Sequence, residues 1–106
     1  MATAIIRGTA FKNETFTQNG LTFNVAKTGR VCVITCSAGS VTSAVATGGT
    51  LLTLGNDYLP IFQAYTQNLT SFSSRIVIND SGNLTSVVAA NAGTSYRFTL
   101  TYITAN

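Results

Sequence analysis

Tyr96-Arg97-Phe98-Thr99-Leu100-Thr101-Tyr102 places Tyr, Phe, Leu and Tyr at every second position, with Arg97, Thr99 and Thr101 between them. A period of two belongs to a strand with one buried and one wet face, whereas a helical stripe repeats near 3.6 residues. This stretch reads as the strand that closes the chain. Leu21-Thr22-Phe23-Asn24-Val25 alternates in the same way. In Val31-Cys32-Val33-Ile34-Thr35-Cys36 both faces are apolar, which predicts a central strand of a sandwich. Ile61-Phe62-Gln63-Ala64-Tyr65, begun or marked as an edge by Pro60, and Arg75-Ile76-Val77-Ile78-Asn79 read as two more strands. Lys27-Thr28-Gly29 is a short hairpin loop. Asn79-Asp80-Ser81-Gly82-Asn83 reads as a type I turn with Gly82 in the left-handed region and Asp80 starting the turn. Gly39, Gly48, Gly49, Gly55 and Gly93 mark further turns, and no stretch carries a capped helical stripe. The expectation is one all-β domain over residues 1–106, built as eight or so short antiparallel strands in a sandwich, barrel or jelly roll. Residues 1–18 are read as a leading strand or arm joining it to a larger protein.

Composition narrows the function. Apolar residues make up 45% of the chain and charged residues only 8%, against about 25% charged in an ordinary soluble domain. So little charge leaves the surface to Ser, Asn and the 18 threonines, or to a subunit interface. The net charge is +3, but Arg7, Lys12, Lys27, Arg30, Arg75 and Arg97 are scattered and not interleaved with aromatics. That argues against a nucleic-acid groove. No apolar run approaches the ~18 residues of a membrane span, and the N-terminus shows no secretory h-region. The chain is therefore expected to be made in the cytoplasm or to be a piece of something longer.

Catalytic and metal chemistry lack their usual parts. The acids are Glu14, Asp57 and Asp80; Asp80 and Asp57 read as turn residues and Glu14 has no obvious partner. The chain has no His, so Ser-His and Cys-His nucleophile pairs are ruled out. Cys32 and Cys36 are the only cysteines, and four residues along a strand span about 13 Å, too far for the Cα spacing of a disulfide. They read as two free core thiols, with no metal and no cofactor expected. Sequons at Asn13, Asn68, Asn79 and Asn83 are what an Asn/Ser/Thr-rich chain produces by chance. The reading is a non-enzymatic binding domain.

From Asn19 onward the order of landmarks resembles a known family. A strand over Asn19-Gly20-Leu21-Thr22-Phe23-Asn24-Val25 precedes a hydrophobic one over Gly29-Arg30-Val31-Cys32-Val33-Ile34. A Gly/Ser/Thr-rich stretch and a Leu59-Pro60 step follow. Then come the hairpin Arg75-Ile76-Val77-Ile78-Asn79-Asp80-Ser81-Gly82-Asn83-Leu84 and a strand from Tyr96 to Ile103. This order resembles the head domain of receptor-binding proteins (adhesins) from tailed phages of Gram-positive bacteria, notably the lactococcal ones, over about four-fifths of the chain. The resemblance implies a jelly-roll-like head assembled as a homotrimer on a virion tail tip or baseplate, beside other tail proteins and after assembly in the host cytoplasm. It implies a host cell-surface polysaccharide or glycerol-phosphate polymer as ligand, bound near a subunit interface. The family binds through the hairpin strands and a late Arg. Here Arg75 and Val77 stand in the first hairpin strand, Ser86 in the second, and Arg97 where the late Arg falls; the family's His, Asp and Trp types are absent at those places. The candidate ligand-binding set is Arg75, Arg97, Tyr65 and Asn91. Both arginines sit on strand faces opposite the apolar one, where forked donors can grip hydroxyls or phosphate. The rival readings are a self-assembling structural trimer (a collagen-tail cap or a shell protein) without a small ligand, and a carbohydrate-binding module of an enzyme.

Overall fold

The computed structural model describes residues 12–105, so Arg7 and the first eleven residues of the expected arm lie outside the described residues. Eight strands follow in order: β1 (Lys12–Gln18), β2 (Leu21–Thr28), β3 (Val31–Ser40), β4 (Gly49–Thr53), β5 (Ala64–Gln67), β6 (Arg75–Ile78), β7 (Asn83–Ser86) and β8 (Ser95–Ile103). A single 3-10 turn, Asn56–Tyr58, lies between β4 and β5. The strands form two four-stranded sheets, ordered β1-β2-β3-β8 and β4-β7-β6-β5, with every ladder antiparallel. The all-β, two-sheet expectation holds. Among the described residues no helix is long and apolar enough to cross a membrane.

Burial along β8 alternates without a break from Ser95 to Ile103, as its period-two pattern demands. The registers carry that alternation across the sheet. Phe23 stands opposite Cys36 and Cys36 opposite Phe98; Val25, Ile34 and Leu100 form the next row, and Lys27, Cys32 and Tyr102 the one beyond. These side chains meet Leu51, Leu52, Ile76, Ile78 and Leu84 of the second sheet in one core. Each large apolar side chain fully buried there contributes about 1.5–3 kcal/mol before entropy is counted. Cys32 and Cys36 are both buried, two rows apart in that core, and do not bridge each other, as the strand geometry required; the Cys36 thiol donates to the Tyr96 carbonyl. β3 is central in its sheet, flanked by β2 and β8.

The outer face of the same sheet has a different chemistry. Thr15, Asn24, Thr35 and Thr99 form one row across four strands, Asn13, Ala26, Val33 and Thr101 the next, and Thr28, Val31 and Ile103 a third. Opposite residues share a face, so this surface is a lattice of hydroxyls and methyls.

Several local expectations are corrected. The strand read from Asn19 begins at Leu21: Asn19 and Gly20, at φ 52° and 81°, have the double positive φ of a type I′ hairpin and join β1 to β2. The β2–β3 loop is Gly29-Arg30 and not Lys27-Thr28-Gly29, because the ladder runs on to pair Thr28 with Val31. The fifth strand begins at Ala64 rather than Ile61. Pro60 bridges Thr104 and the Ile61 N–H donates to the Ile103 carbonyl, so this stretch first closes the β8 edge and only then crosses to the second sheet. Gly39 and Gly49 lie within β3 and β4, not in turns; Gly39 follows a register shift after Cys36. Gly82 has φ 86°, as expected of the hairpin. The side chain that holds this turn is Asn79, not Asp80: its Oδ1 accepts from the Ser81 and Asn83 N–H groups at 3.0 and 3.1 Å. The first turn position points its side chain back over the turn, while the second points into solvent.

Glu14 has a partner after all. On the inner face of β1, Glu14 accepts a hydrogen bond from the Tyr58 hydroxyl, Lys12 pairs with Asp57, and Phe16 meets the Tyr58 ring edge-on at 6.4 Å. The Lys27 ammonium donates to the Asp57 carbonyl at 2.6 Å. Asp57 is thus an ion-pair residue as well as part of a turn. Burial and the Glu14 carboxylate push the Tyr58 phenol well above its ordinary value.

Candidate functional site

β8 is the edge of its sheet, so its outward N–H and C=O groups need partners. Near its start the partner is residues 68–70. The Leu69 N–H donates to the Arg97 carbonyl at 2.8 Å. The Asn68 side chain imitates a neighbouring strand: its Oδ1 accepts from the Arg97 N–H at 2.7 Å and its Nδ2 donates to the Ser95 carbonyl at 3.2 Å. The same Nδ2 reaches the Phe72 carbonyl at 2.8 Å and Thr70 Oγ1 at 2.9 Å, and the Asn68 N–H donates to the Ser74 carbonyl. Asn68 is buried; two of these five hydrogen bonds tie it to β8 and three close the loop 68–74 on itself. Phe72 packs edge-on against the Tyr96 ring at 5.7 Å beneath the loop. Burial of Tyr96 pushes its phenol up, and its hydroxyl donates inward to Ser86 Oγ at 3.0 Å.

Above this anchor lies an open groove of about 500 Å³ lined by Gly39, Ser40, Thr70, Ser71, Ser95, Tyr96 and Arg97. Its polar groups are hydroxyls, main-chain groups and one guanidinium. Ser40 and Ser95 hydroxyls meet at 3.1 Å, and the Thr70 hydroxyl donates to the Ser95 carbonyl at 2.9 Å. Each serine or threonine hydroxyl is both donor and acceptor, while Arg97 offers donors only. No carboxylate lines the groove. The acids lie elsewhere, Glu14 and Asp57 under β1 and Asp80 at the hairpin tip. Among the described residues, no cluster of His, Cys, Asp and Glu could hold a metal ion.

The four candidate residues separate into groups. Arg97 lines the groove. Arg75 and Tyr65 come together on the outer face of the second sheet: the guanidinium sits 5.1 Å from the ring centroid, and Tyr65 is 64% exposed. The sequence placed these two in separate strands, and the β5–β6 register, pairing Tyr65 with Val77 and Gln67 with Arg75, makes them neighbours. The segment 67–69 links the two arginines, since Gln67 stands opposite Arg75 and Leu69 bonds to Arg97. Asn91 lies in the turn before β8, where its carbonyl accepts from the Thr94 N–H at 3.1 Å, and it is not part of the groove lining. Sequence reasoning missed Asn68, Thr70, Ser71, Ser40 and Ser95. Asn68 and Thr70 had been read only as a sequon. The available signal was the polar run Asn68-Leu69-Thr70-Ser71-Phe72-Ser73-Ser74 between two strands, which is loop chemistry.

Neither a family model nor a curated protein matches this chain.

Proposed function

We propose that the chain is a receptor-binding head domain of the phage-tail type, holding a segment of a host cell-wall saccharide or glycerol-phosphate polymer in the groove under Arg97. The observation that carries the reading is the hydroxyl-lined groove with one guanidinium and no carboxylate, mounted on an anchored loop. Sugar hydroxyls require donors and acceptors together, which Ser40, Thr70, Ser71 and Ser95 supply. Arg97 adds a forked cation for a phosphate or for paired hydroxyls. Tyr65, with Arg75 over its ring, offers an exposed aromatic on which a further sugar of the same polymer can stack. The nested pairings β3–β8, β4–β7 and β5–β6 follow the course of a folded-over ribbon, which supports the jelly-roll reading. The homotrimer, the baseplate partners and the virion setting come with the family resemblance.

The test is binding of purified host wall polysaccharide by the whole chain and by Arg97→Ala. Loss of a charged donor costs about 1.5–3 kcal/mol, so affinity should fall roughly ten- to a hundredfold. Equal binding by parent and variant removes Arg97 from the site. A self-assembling domain without a small ligand is the second reading, favoured by the nearly uncharged outer face of β1-β2-β3-β8. Absence of saccharide binding by the parent chain, with its fold and oligomer intact, would favour it.

A further inference from the structure

We infer that the outer face of the β1-β2-β3-β8 sheet is a self-association surface, and that its occupant is another copy of this chain. β3 is the starting point. A central strand with one covered face should carry apolar residues on that face alone, yet β3 also directs Val31 and Val33 outward. Among the described residues Val33 is half-buried, while Val31 is 44% exposed and Ile103, opposite it, is 47% exposed.

The face around them is chemically suited to its own copy. Its only charge among the described residues is Arg97, at the corner beside the groove. Charged side chains are depleted at the centres of protein interfaces, and a face whose charge lies at a corner brings no like charges together at its centre when it meets itself. The threonine rows matter in the same way. A hydroxyl donates and accepts, so a Thr-covered face complements another Thr-covered face, while the methyl groups and Val33 supply apolar contact. A nucleic acid or a strongly charged protein would find a single counter-charge there, Arg97 at the corner.

The size also fits. Four strands about 4.8 Å apart, over roughly seven residues of about 3.3 Å each, give on the order of 450 Å² of flat area per copy. With side-chain relief, two copies remove roughly 1,000–1,300 Å² of accessible surface, at the lower limit of a specific interface. Across a two-fold axis the face meets itself whole, whereas around a three-fold axis each copy's face is divided between its two neighbours. This gives the self-assembly of the preceding reading a surface and rests on that reading in no other respect. It also sets the Arg97 groove at the border of the contact.

The experiment is the mass in solution of the whole chain and of two variants at roughly 200 μM, well above the micromolar dissociation constant that an interface of this size supports. The parent should run at two or three times its 11.1 kDa. Thr15→Lys with Thr101→Lys, which puts ammonium groups at two exposed positions of the face, should run at the monomer mass. Thr50→Lys, exposed on β4 of the other sheet, should keep the oligomer. Circular dichroism checks the fold of each, and the single variant Thr101→Lys carries the same test if the double variant does not fold. A monomeric parent overturns the inference, and so does a folded face variant that keeps the parent's mass. The groove is tested separately with Ser71→Trp, an exposed lining residue in the loop 68–74 outside this sheet: it should block saccharide binding and leave the mass unchanged, so loss of saccharide binding and loss of assembly are distinguishable.

Discussion

Gly82 and Gly93 have nearly the same backbone, φ 86° and 91°, in very different surroundings. A Cβ at Gly82 would lie 2.7 Å from the Leu54 carbonyl oxygen and 2.8 Å from Leu59 Cδ2, whereas a Cβ at Gly93 would meet nothing within 4 Å. Alanine at Gly93 therefore meets only the left-handed penalty, about 1–2 kcal/mol. Alanine at Gly82 meets that penalty and a clash. The Leu54 carbonyl cannot retreat freely, because the Leu54 N–H is itself bonded to the Gly82 carbonyl at 2.9 Å and holds β4 to the hairpin. Forcing a methyl into a filled site costs about 1–3 kcal/mol. The expected losses are thus about 1–2 kcal/mol for Gly93→Ala and about 2–5 kcal/mol for Gly82→Ala. Urea unfolding followed by circular dichroism reads both, and an unchanged slope would show that stability and not the surface exposed on unfolding has changed. In thermal scans the gap should appear as at least roughly 4–8 °C between the variants. If the two lose the same stability to within about 0.5 kcal/mol, the close approach of Leu54 to the hairpin carries no energy and the packing argument fails.

Two further outcomes are expected. Asn68→Ala strands the Arg97 N–H and frees the loop 68–74. It should cost about 1–3 kcal/mol of stability and weaken saccharide binding as well; a variant as stable as the parent would show that Asn68 is not the anchor. Burial raises the phenols of Tyr58, Tyr96 and Tyr102, with Glu14 adding to the effect at Tyr58. A raised folded value gives stability that is full below the unfolded value near 10 and lost as pH rises through the folded values. The domain should therefore lose stability above about pH 10, with less tyrosinate absorbance folded than in urea at the same pH; equal absorbance in the two states would refute the burial argument.

Much of this architecture was legible along the chain because strand periodicity is local. The alternation in Tyr96–Tyr102 named the buried face of β8, and the two-faced apolarity of Val31–Cys36 placed β3 at the centre of a sheet. The distance along an extended chain forbade a disulfide between Cys32 and Cys36. Gly82 was readable because the hairpin needs a left-handed residue there. Elements whose boundaries depend on distant partners were not readable. The stretch from Pro60 to Tyr65 looks like one strand, but β8 takes its first residues and β6 its last. The seat of β1 was equally hidden, since Glu14 and Lys12 find Tyr58 and Asp57 some 44 and 45 residues away. The candidate site divides in the same manner. That Arg75 and Arg97 face outward follows from strand parity. That Arg75 stacks on Tyr65, and that Arg97 stands over a hydroxyl-lined groove, depends on register and on Asn68 completing the edge of β8. Which face a side chain takes is set by its nearest neighbours in sequence; which side chains share that face is set by hydrogen bonds between strands far apart in the chain, and those exist only once the sheets have formed.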